Sequence, residues 1–387
     1  MPLLFSAQDT RWMARALQLA EQGRRSTAPN PRVGCVIAHG DLVVGEGWHQ
    51  RAGEPHAEVH ALAAAGVAAQ GATAYVTLEP CSHTGRTPPC ADALIRAGVS
   101  RVVVAMQDPN PLVAGQGLQR LRAAGIDVQL AGLDSAEARA ARDINIGFLH
   151  RMQHAVPWVR LKTASSLDGR TALPNGQSQW ITGDAARADV QHWRARACAI
   201  LTGIGTVLHD DPLLNVRLPQ VQRQPPLAIL DSRLRTPPQA RLFGVAARAV
   251  WIFTTASATE DSGGRQRADA LQAAGAHIVC LPADNVGRPS LSALLQELGR
   301  RAINELHVEA GAALNGALLA QGHVDELLAY VAPLLLGPGQ PLADLPAIPE
   351  LSMAARWQLC ESRALGDDIR LRLRTAPGNS YGHSTHG

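Results

Sequence analysis

Apolar positions along this chain recur in two rhythms that take turns. From residue 6 the spacing is helical: Met13, Ala16, Leu17 and Ala20 share a face, Ser6 and Asp9 fit a capping box ahead of them, and Gly23 closes the run. The period then drops to two. VGCVIA (33–38), a turn at His39-Gly40-Asp41 and LVVGEGWH (42–49) predict a hairpin. Helical HAEVHALAAAG, strand TAYVTL, helix ADALIRAG, strand RVVVAM, helix GLQRLRAAG and strand IDVQL follow in order. A hairpin start followed by alternating strand and helix predicts an α/β fold with a mostly parallel sheet covered on both faces. One further helix is expected from about Ser135 to Leu149.

Pro157 restarts the strand rhythm with WVRLKTA, and a second α/β unit is expected beyond it. Its strand candidates are CAILTG (198–203), LAILDS (227–232), AVWIFT (249–254), HIVCLP (277–282), INELHVEA (303–310) and ELLAYVAP (326–333). RLRLR (370–374) alternates like an edge strand. The domain boundary is placed near residues 148–156, giving domains 1–150 and 151–375, and APGNSYGHSTHG (376–387) reads as a disordered tail.

A length of 387 residues agrees with two domains. A net charge of +3 with 18% charged residues excludes a disordered chain and a strongly basic nucleic-acid coat. No apolar stretch approaches a membrane span, and MPLLFSAQDTRW lacks the basic and apolar regions of a secretory leader, so a cytoplasmic protein is expected. Cys35, Cys81, Cys90, Cys198, Cys280 and Cys360 are scattered, which favours reduced thiols and a metal site over a disulfide framework. Of the 36 basic residues, Lys162 alone is a lysine. The arginine bias reads as compositional drift, and the surviving lysine becomes a candidate functional group.

His56-Ala57-Glu58 opens a helix after Pro55, Pro80-Cys81 follows a strand, and Cys90 lies eight intervening residues further on. One imidazole and two thiolates suit Zn²⁺, and three protein ligands leave a fourth tetrahedral position for water. Glu58, two positions past the ligand, is placed to take a proton from that water and pass it to a leaving amine. The pattern is that of zinc deaminases, H-x-E then P-C-x-x-C, with a longer cysteine spacing. A structural site completed by His60 or His83 is the alternative. A second H-x-E, His307-Val308-Glu309, lacks a following Pro-Cys and is read as non-metal.

TAPNPRVGCVIA, GEGWHQRAGEPHAEVHAL, VTLEPCSHTGRTPPC and DPNPLVAGQG together resemble the bifunctional riboflavin-biosynthesis deaminase/reductases. So do LKTASSLDGRTA, SQWITG, LTGIGTVLHDDPLLNVR, ILDSRLRTP, VEAGAALNGALL and DELLAYVAPLLLG in the second half. The resemblance spans nearly the whole chain to about residue 375, and the cysteine spacing is the family's own. It implies a cytidine-deaminase-like N-terminal α/β/α domain. That domain would hydrolyse the 2-amino group of 2,5-diamino-6-(5-phosphoribosylamino)pyrimidin-4-one. It also implies a dihydrofolate-reductase-like C-terminal α/β domain that reduces the ribosyl side chain with NADPH.

Carried over residue by residue, the resemblance puts zinc on His56, Cys81 and Cys90 and the proton shuttle on Glu58. Substrate contacts in the reductase fall on Ser178, Arg194, Leu214, Arg217 and Glu309. NADPH contacts fall on Ala164, Trp180, Thr206, Asp210, Ser232 and Gly311. From the residues themselves, Arg194 and Arg217 suit a phosphate by bidentate geometry. Gly311 ends a strand before a helix start, an arrangement that binds anions. GIGTVLHDD, with Leu208 at the third glycine position, is a weak dinucleotide signal alone. Trp180 also fits core packing. Asn30, between two prolines, fits either a substrate hydrogen bond in the deaminase or a turn. Lys162 is a candidate proton donor in the reductase. The expected partner is a small phosphorylated pyrimidine, with no nucleic acid and no membrane, in a homo-oligomer. The alternatives are a nucleic-acid or nucleoside zinc deaminase with an accessory binding domain, and a zinc-stabilised binding module; near-neutral charge and 4% aromatics weigh against nucleic acid.

Overall fold

Ser6 caps the first helix as its sequence demands: its hydroxyl accepts from Asp9 N while Asp9 reaches back to Ser6 N. In the computed structural model, which describes residues 5–82, 88–110, 114–219, 221 and 223–375, the chain divides into two compact units, Met1–Ala155 and Val156–Gly387.

The first unit runs α1 (Ala7–Gln22), β1 (Gly34–His39), β2 (Leu42–Trp48), α2 (Ala57–Ala65), β3 (Thr73–Val76), α3 (Cys90–Arg96), β4 (Arg101–Val104), α4 (Gln116–Ala123), β5 (Asp127–Leu130), α5 (Ala136–Ile144) and α6 (Ile146–His154). Its five-stranded sheet has the order β2-β1-β3-β4-β5. β1 pairs antiparallel with β2 and β3, and β3, β4 and β5 are parallel. Met13, Ala16, Val36, Ile37, Ala61 and Val103 are among the residues of one continuous core. Glycines in β2 let α2 lie directly on the sheet. A Cβ at Gly45 would meet Ala61 O at 2.2 Å and one at Gly47 would meet Ala57 O at 2.4 Å. This close approach fixes the start of α2, where His56 and Glu58 sit.

The single helix expected over 135–149 is two helices, α5 and α6, broken at Asn145. The buried Asn145 side chain accepts from Arg32 N at 2.7 Å and donates to Arg32 O at 2.9 Å. That residue serves a distant backbone segment, and its own backbone leaves the helical region at φ −105°, ψ 14°.

The second unit contains β6 (Trp158–Ser166), β7 (Arg170–Ala172), α7 (Asp184–Arg196), β8 (Ala199–Gly203), α8 (Ile204–Asp210), β9 (Leu227–Leu230), β10 (Val250–Thr255), α9 (Ser262–Ala273), β11 (Ala276–Leu281), α10 (Leu291–Arg300), β12 (Glu305–Val308), α11 (Ala312–Ala320), β13 (Glu326–Ala332), β14 (Gln340–Pro341), β15 (Trp357–Leu365) and β16 (Asp368–Thr375). β7 and β14 form a small ribbon. The other strands make a nine-stranded sheet ordered β11-β10-β9-β8-β12-β6-β13-β16-β15. It is parallel from β11 to β13 and antiparallel from β13 to β15.

RLRLR is therefore not an edge strand. β16 is paired on both sides, and the edge is β15, whose WQLCESRAL carries no clear strand rhythm. The alternation of β16 has an internal cause: Arg370 is buried and paired with Asp189 of α7 and Glu361 of β15. Deeper still, Arg160 is fully buried between Glu305 and Glu326, and Arg196 also pairs with Glu305. Each charge in that layer has a partner, the condition under which buried ions are tolerated. The tail 376–387 lies outside the described residues, as do 83–87, which include His83.

Candidate active sites

In the first unit, two helix starts and one strand exit converge. His56 is the N-cap of α2, Cys90 is the first residue of α3, and Cys81 follows Pro80 after β3. Their donor atoms lie within 4.8 Å of one another, with His56 Nδ1 3.3 Å from Cys90 Sγ and 3.7 Å from Cys81 Sγ. Zn–S and Zn–N bonds of about 2.3 and 2.0 Å set tetrahedral N···S separations of about 3.5 Å, so this donor set fits zinc. Cys90 N donates to Cys81 Sγ at 3.3 Å. Hydrogen bonds from Cys90 and His56 draw the Cys81 thiol down to about 4 against its burial, and the Cys81 contact raises His56. Cys90 is pushed upward by its neighbour Cys81 and by burial. Among the described residues His60 does not join the cluster.

Glu58 lies in the first turn of α2 and is 3% exposed. Burial pushes its carboxyl up to about 7 against the pull of His56, and its side chain also hydrogen-bonds Cys90. Half-buried Asn30 is not only a turn residue: its Nδ2 is 3.2 Å from His49 Nε2. His49 Nδ1 is 3.1 Å from Pro55 O, and the His49 ring stands edge-on to His56 at 5.3 Å. The sequence reading missed His49. Its place in the GEGWHQ string, at the end of the hairpin strand that supports α2, was the available signal.

In the second unit the carried-over cofactor residues other than Trp180, together with Glu309 and the compositional candidate Lys162, lie on or just after strands. Lys162 and Ala164 lie along the C-terminal half of β6, Thr206 and Asp210 lie on α8 after β8, Ser232 follows β9, and Glu309 and Gly311 follow β12. These strands are parallel, and a crevice beyond their carboxyl ends is where open α/β sheets bind ligands. Gly311 caps α11 and has open space where a Cβ would stand, as does Gly205 in α8. This leaves the helix starts accessible to a dinucleotide's phosphates.

The two arginines are not equivalent. Arg194 is buried and forked onto Glu309 (Nε–Oε1 2.5 Å, Nη2–Oε2 2.9 Å), with Nη1 donating to Asn215 O at 3.1 Å. Burial would raise Glu309, but Arg194 holds its carboxyl well below the usual range. Arg217 is exposed, and its Nη1 donates to Asn215 Oδ1 at 3.1 Å. Leu214 is buried and held at φ +45°, a left-handed conformation unusual for leucine. Trp180 is 69% exposed with Arg187 stacked 4.6 Å from its ring, which rules out core packing. Ser178 is half-buried in the same segment. Burial lowers the Lys162 ammonium, Glu309 raises it and Arg194 lowers it again; its Nζ stands 5.9 Å from the Tyr330 ring centre. His307, in the second H-x-E, lies on β12 with Nε2 3.4 Å from Glu309 Oε1 and belongs to no metal-type cluster among the described residues.

A histidine–dithiolate trio with a buried carboxylate, and a parallel sheet with glycine-led helix starts at its strand ends in a second α/β unit, are the parts of a deaminase joined to a reductase. The comparisons with known proteins agree. Residues 6–106 match the cytidine and deoxycytidylate deaminase zinc-binding region, and residues 157–371 match the RibD C-terminal domain. The chain is 49% identical to the riboflavin biosynthesis protein RibD of Escherichia coli, covering 95% of this chain and 99% of that one. It is 48% identical to that of Haemophilus influenzae, with 95% and 98% covered. Among solved structures, Acinetobacter baumannii RibD aligns with a TM-score of 0.85 at 46% identity, covering 95% and 99% of the two chains. The Thermotoga maritima diaminohydroxyphosphoribosylaminopyrimidine deaminase/5-amino-6-(5-phosphoribosylamino)uracil reductase aligns at 0.82 with 30% identity, again covering 95% and 99%.

The chain belongs to the RibD family. It is a bifunctional enzyme of riboflavin biosynthesis, with a cytidine-deaminase-like zinc-binding domain and a dihydrofolate-reductase-like domain that uses NADPH. Its substrate is a small phosphorylated pyrimidine. The alternative of a deaminase carrying only an accessory binding domain falls with the match of the second half to the reductase.

Proposed function

We propose that residues 1–150 carry the deamination of 2,5-diamino-6-(5-phosphoribosylamino)pyrimidin-4-one and residues 151–375 the reduction of its ribosyl side chain to ribityl phosphate. In the first domain His56, Cys81 and Cys90 hold zinc, which supplies Lewis-acid activation of the water nucleophile. Glu58, buried against the trio, takes the water's proton and delivers it to the departing amine. Its elevated carboxyl, near 7, suits a group that must both accept and release a proton. Asn30, fixed by His49, holds the pyrimidine by its amide. The observation that carries this reading is the convergence of three metal-type donors around one buried carboxylate.

In the second domain Ala164, Trp180, Thr206, Asp210, Ser232 and Gly311 hold NADPH, the hydride donor. Ser178, Arg194, Leu214, Arg217 and Glu309 hold the substrate. Arg217, exposed where Arg194 is buried, is the better placed of the two arginines to meet the substrate phosphate, while Arg194 fixes Glu309 toward the sugar. Lys162 delivers the proton that accompanies hydride transfer; an ammonium lowered by burial releases a proton more readily than any guanidinium. We also propose a cytoplasmic homo-oligomer that engages neither nucleic acid nor membrane; among the described residues no helix is long and apolar enough to cross a bilayer.

The test is an assay of NADPH oxidation with the diaminopyrimidine phosphate and, separately, with its deaminated product. Chelating the zinc should stop the first and spare the second. Equal loss of both, or NADPH oxidation that ignores both compounds, would contradict the assignment.

A further inference from the structure

Residues 211–217, DPLLNVR, follow α8 and belong to no helix or strand. Such a segment must satisfy its backbone polar groups by other means. Here side chains from other parts of the unit do so. Arg248, ahead of β10, donates from Nη1 to Leu213 O at 2.6 Å and to Leu214 O at 3.0 Å. Arg194 of α7 donates to Asn215 O at 3.1 Å. Gln224, in the stretch before β9, grips both sides of one residue: Val216 N donates to its Oε1 at 2.8 Å, and its Nε2 donates to Val216 O at 2.9 Å. Gln191, buried on α7, accepts from Arg217 N at 3.0 Å. Each of residues 213–217 is therefore held by its backbone, by a side chain from outside the segment.

The grip decides where Arg217 points. Leu214 and Val216 are buried, and Arg217 stays exposed. Its guanidinium is lowered by burial and by Arg194 and raised by Glu309, so it stands within electrostatic reach of the pair proposed to face the sugar. The two glutamines are the neutral members of the set. A carboxylate in either place would pair with Arg217 and compete with a phosphate for it. An amide offers an acceptor, and in Gln224 a donor as well, without adding charge. A segment held in this way before substrate arrives spares binding the cost of ordering it.

We propose that Gln191 and Gln224 are positioning residues of the reductase: they clamp the backbone of Val216 and Arg217 so that Arg217 meets the substrate phosphate. The inference rests on the reading of Arg217 as the phosphate contact. The test measures NADPH oxidation by the full-length protein with the deaminated product and with the same compound lacking its phosphate. The ratio of the two kcat/KM values is the phosphate preference. R217A should lower that preference at least about tenfold. Q191L/Q224L should lower it at least about fivefold, through KM for the phosphorylated compound, with kcat within about twofold of the parent. Added to R217A, the same pair should change the preference by less than about twofold, because its effect passes through Arg217. If R217A keeps the preference, the reading of Arg217 fails and the clamp fails with it. If R217A loses the preference but Q191L/Q224L keeps it, the reading stands and the clamp is overturned. Equal loss on both compounds, or the same loss with and without R217A, also overturns the clamp, since a general structural role predicts that result. Should the double variant not fold, Q191L and Q224L alone decide the matter: each should lower the preference, and a folded single variant with the parent preference removes its residue from the clamp.

Discussion

His56, Cys81 and Cys90 are drawn to one point by two helix starts and a strand exit. The contacts proposed for the reductase are instead spread out, some on or just after β6, β8, β9 and β12 and others on α7 and in loops between elements. Where an ion holds three donors, distances of a few tenths of an ångström matter, and the local backbone is fixed by α2 pressed on the β2 glycines. A long, flexible cofactor instead needs a row of separate anchors, set by ion pairs such as Arg194–Glu309 that tie a helix to a strand end. The deaminase site should therefore fail all at once when one donor is lost, and the reductase site should degrade by parts.

Cys81→Ser should show the abrupt failure: metal analysis should find well under one zinc per chain, and ammonia release should vanish. A variant with full zinc and full deamination would remove the trio from the mechanism. Glu309→Gln should cause the next largest effect, because it strands a buried guanidinium; breaking such a pair costs about 3–5 kcal/mol. Arg194 holds the Glu309 carboxyl below its ordinary value of 4.5, so the pair's stabilisation is complete above that value and declines as pH falls through the lower folded one. The melting-temperature gap between the parent and Glu309→Gln should be full at neutral pH and close in acid. A gap that widened on acidification would contradict this pairing.

Lys162→Arg should keep NADPH binding by titration and lower reductase turnover about 10²-fold, the scale of a lost general acid. Turnover within about twofold of the parent would leave Lys162 without a chemical role. Smallest of all, His307→Gln should leave zinc content unchanged. Any drop would mean that the second H-x-E takes part in metal binding despite its distance in sequence from Cys81 and Cys90.

The same contrast explains what could be read from the sequence. Features set by neighbours in the chain were legible: the Ser6–Asp9 box, the 33–49 hairpin, the His56 and Pro80-Cys81 junctions. Features set by distant partners were not. Asn145 breaks a helix because of Arg32, and Arg194 is forked onto Glu309, a partner 115 residues away. β16 alternates for the sake of Asp189 and Glu361, which made an interior strand look like an edge. Glu58 could be named from its spacing, but its near-complete burial, which raises its carboxyl, comes from the packing of the α2 start.

The central claim is that two separable sites do two reactions and that Glu58 moves the proton in the first without holding the metal. Glu58→Gln tests both parts in one preparation, since an amide of nearly the same shape cannot accept a proton from water. The variant should retain one zinc per chain, release no ammonia from the diaminopyrimidine phosphate, and still oxidise NADPH with the deaminated product at the parent rate. Loss of zinc, persistence of ammonia release, or loss of both activities together would contradict it.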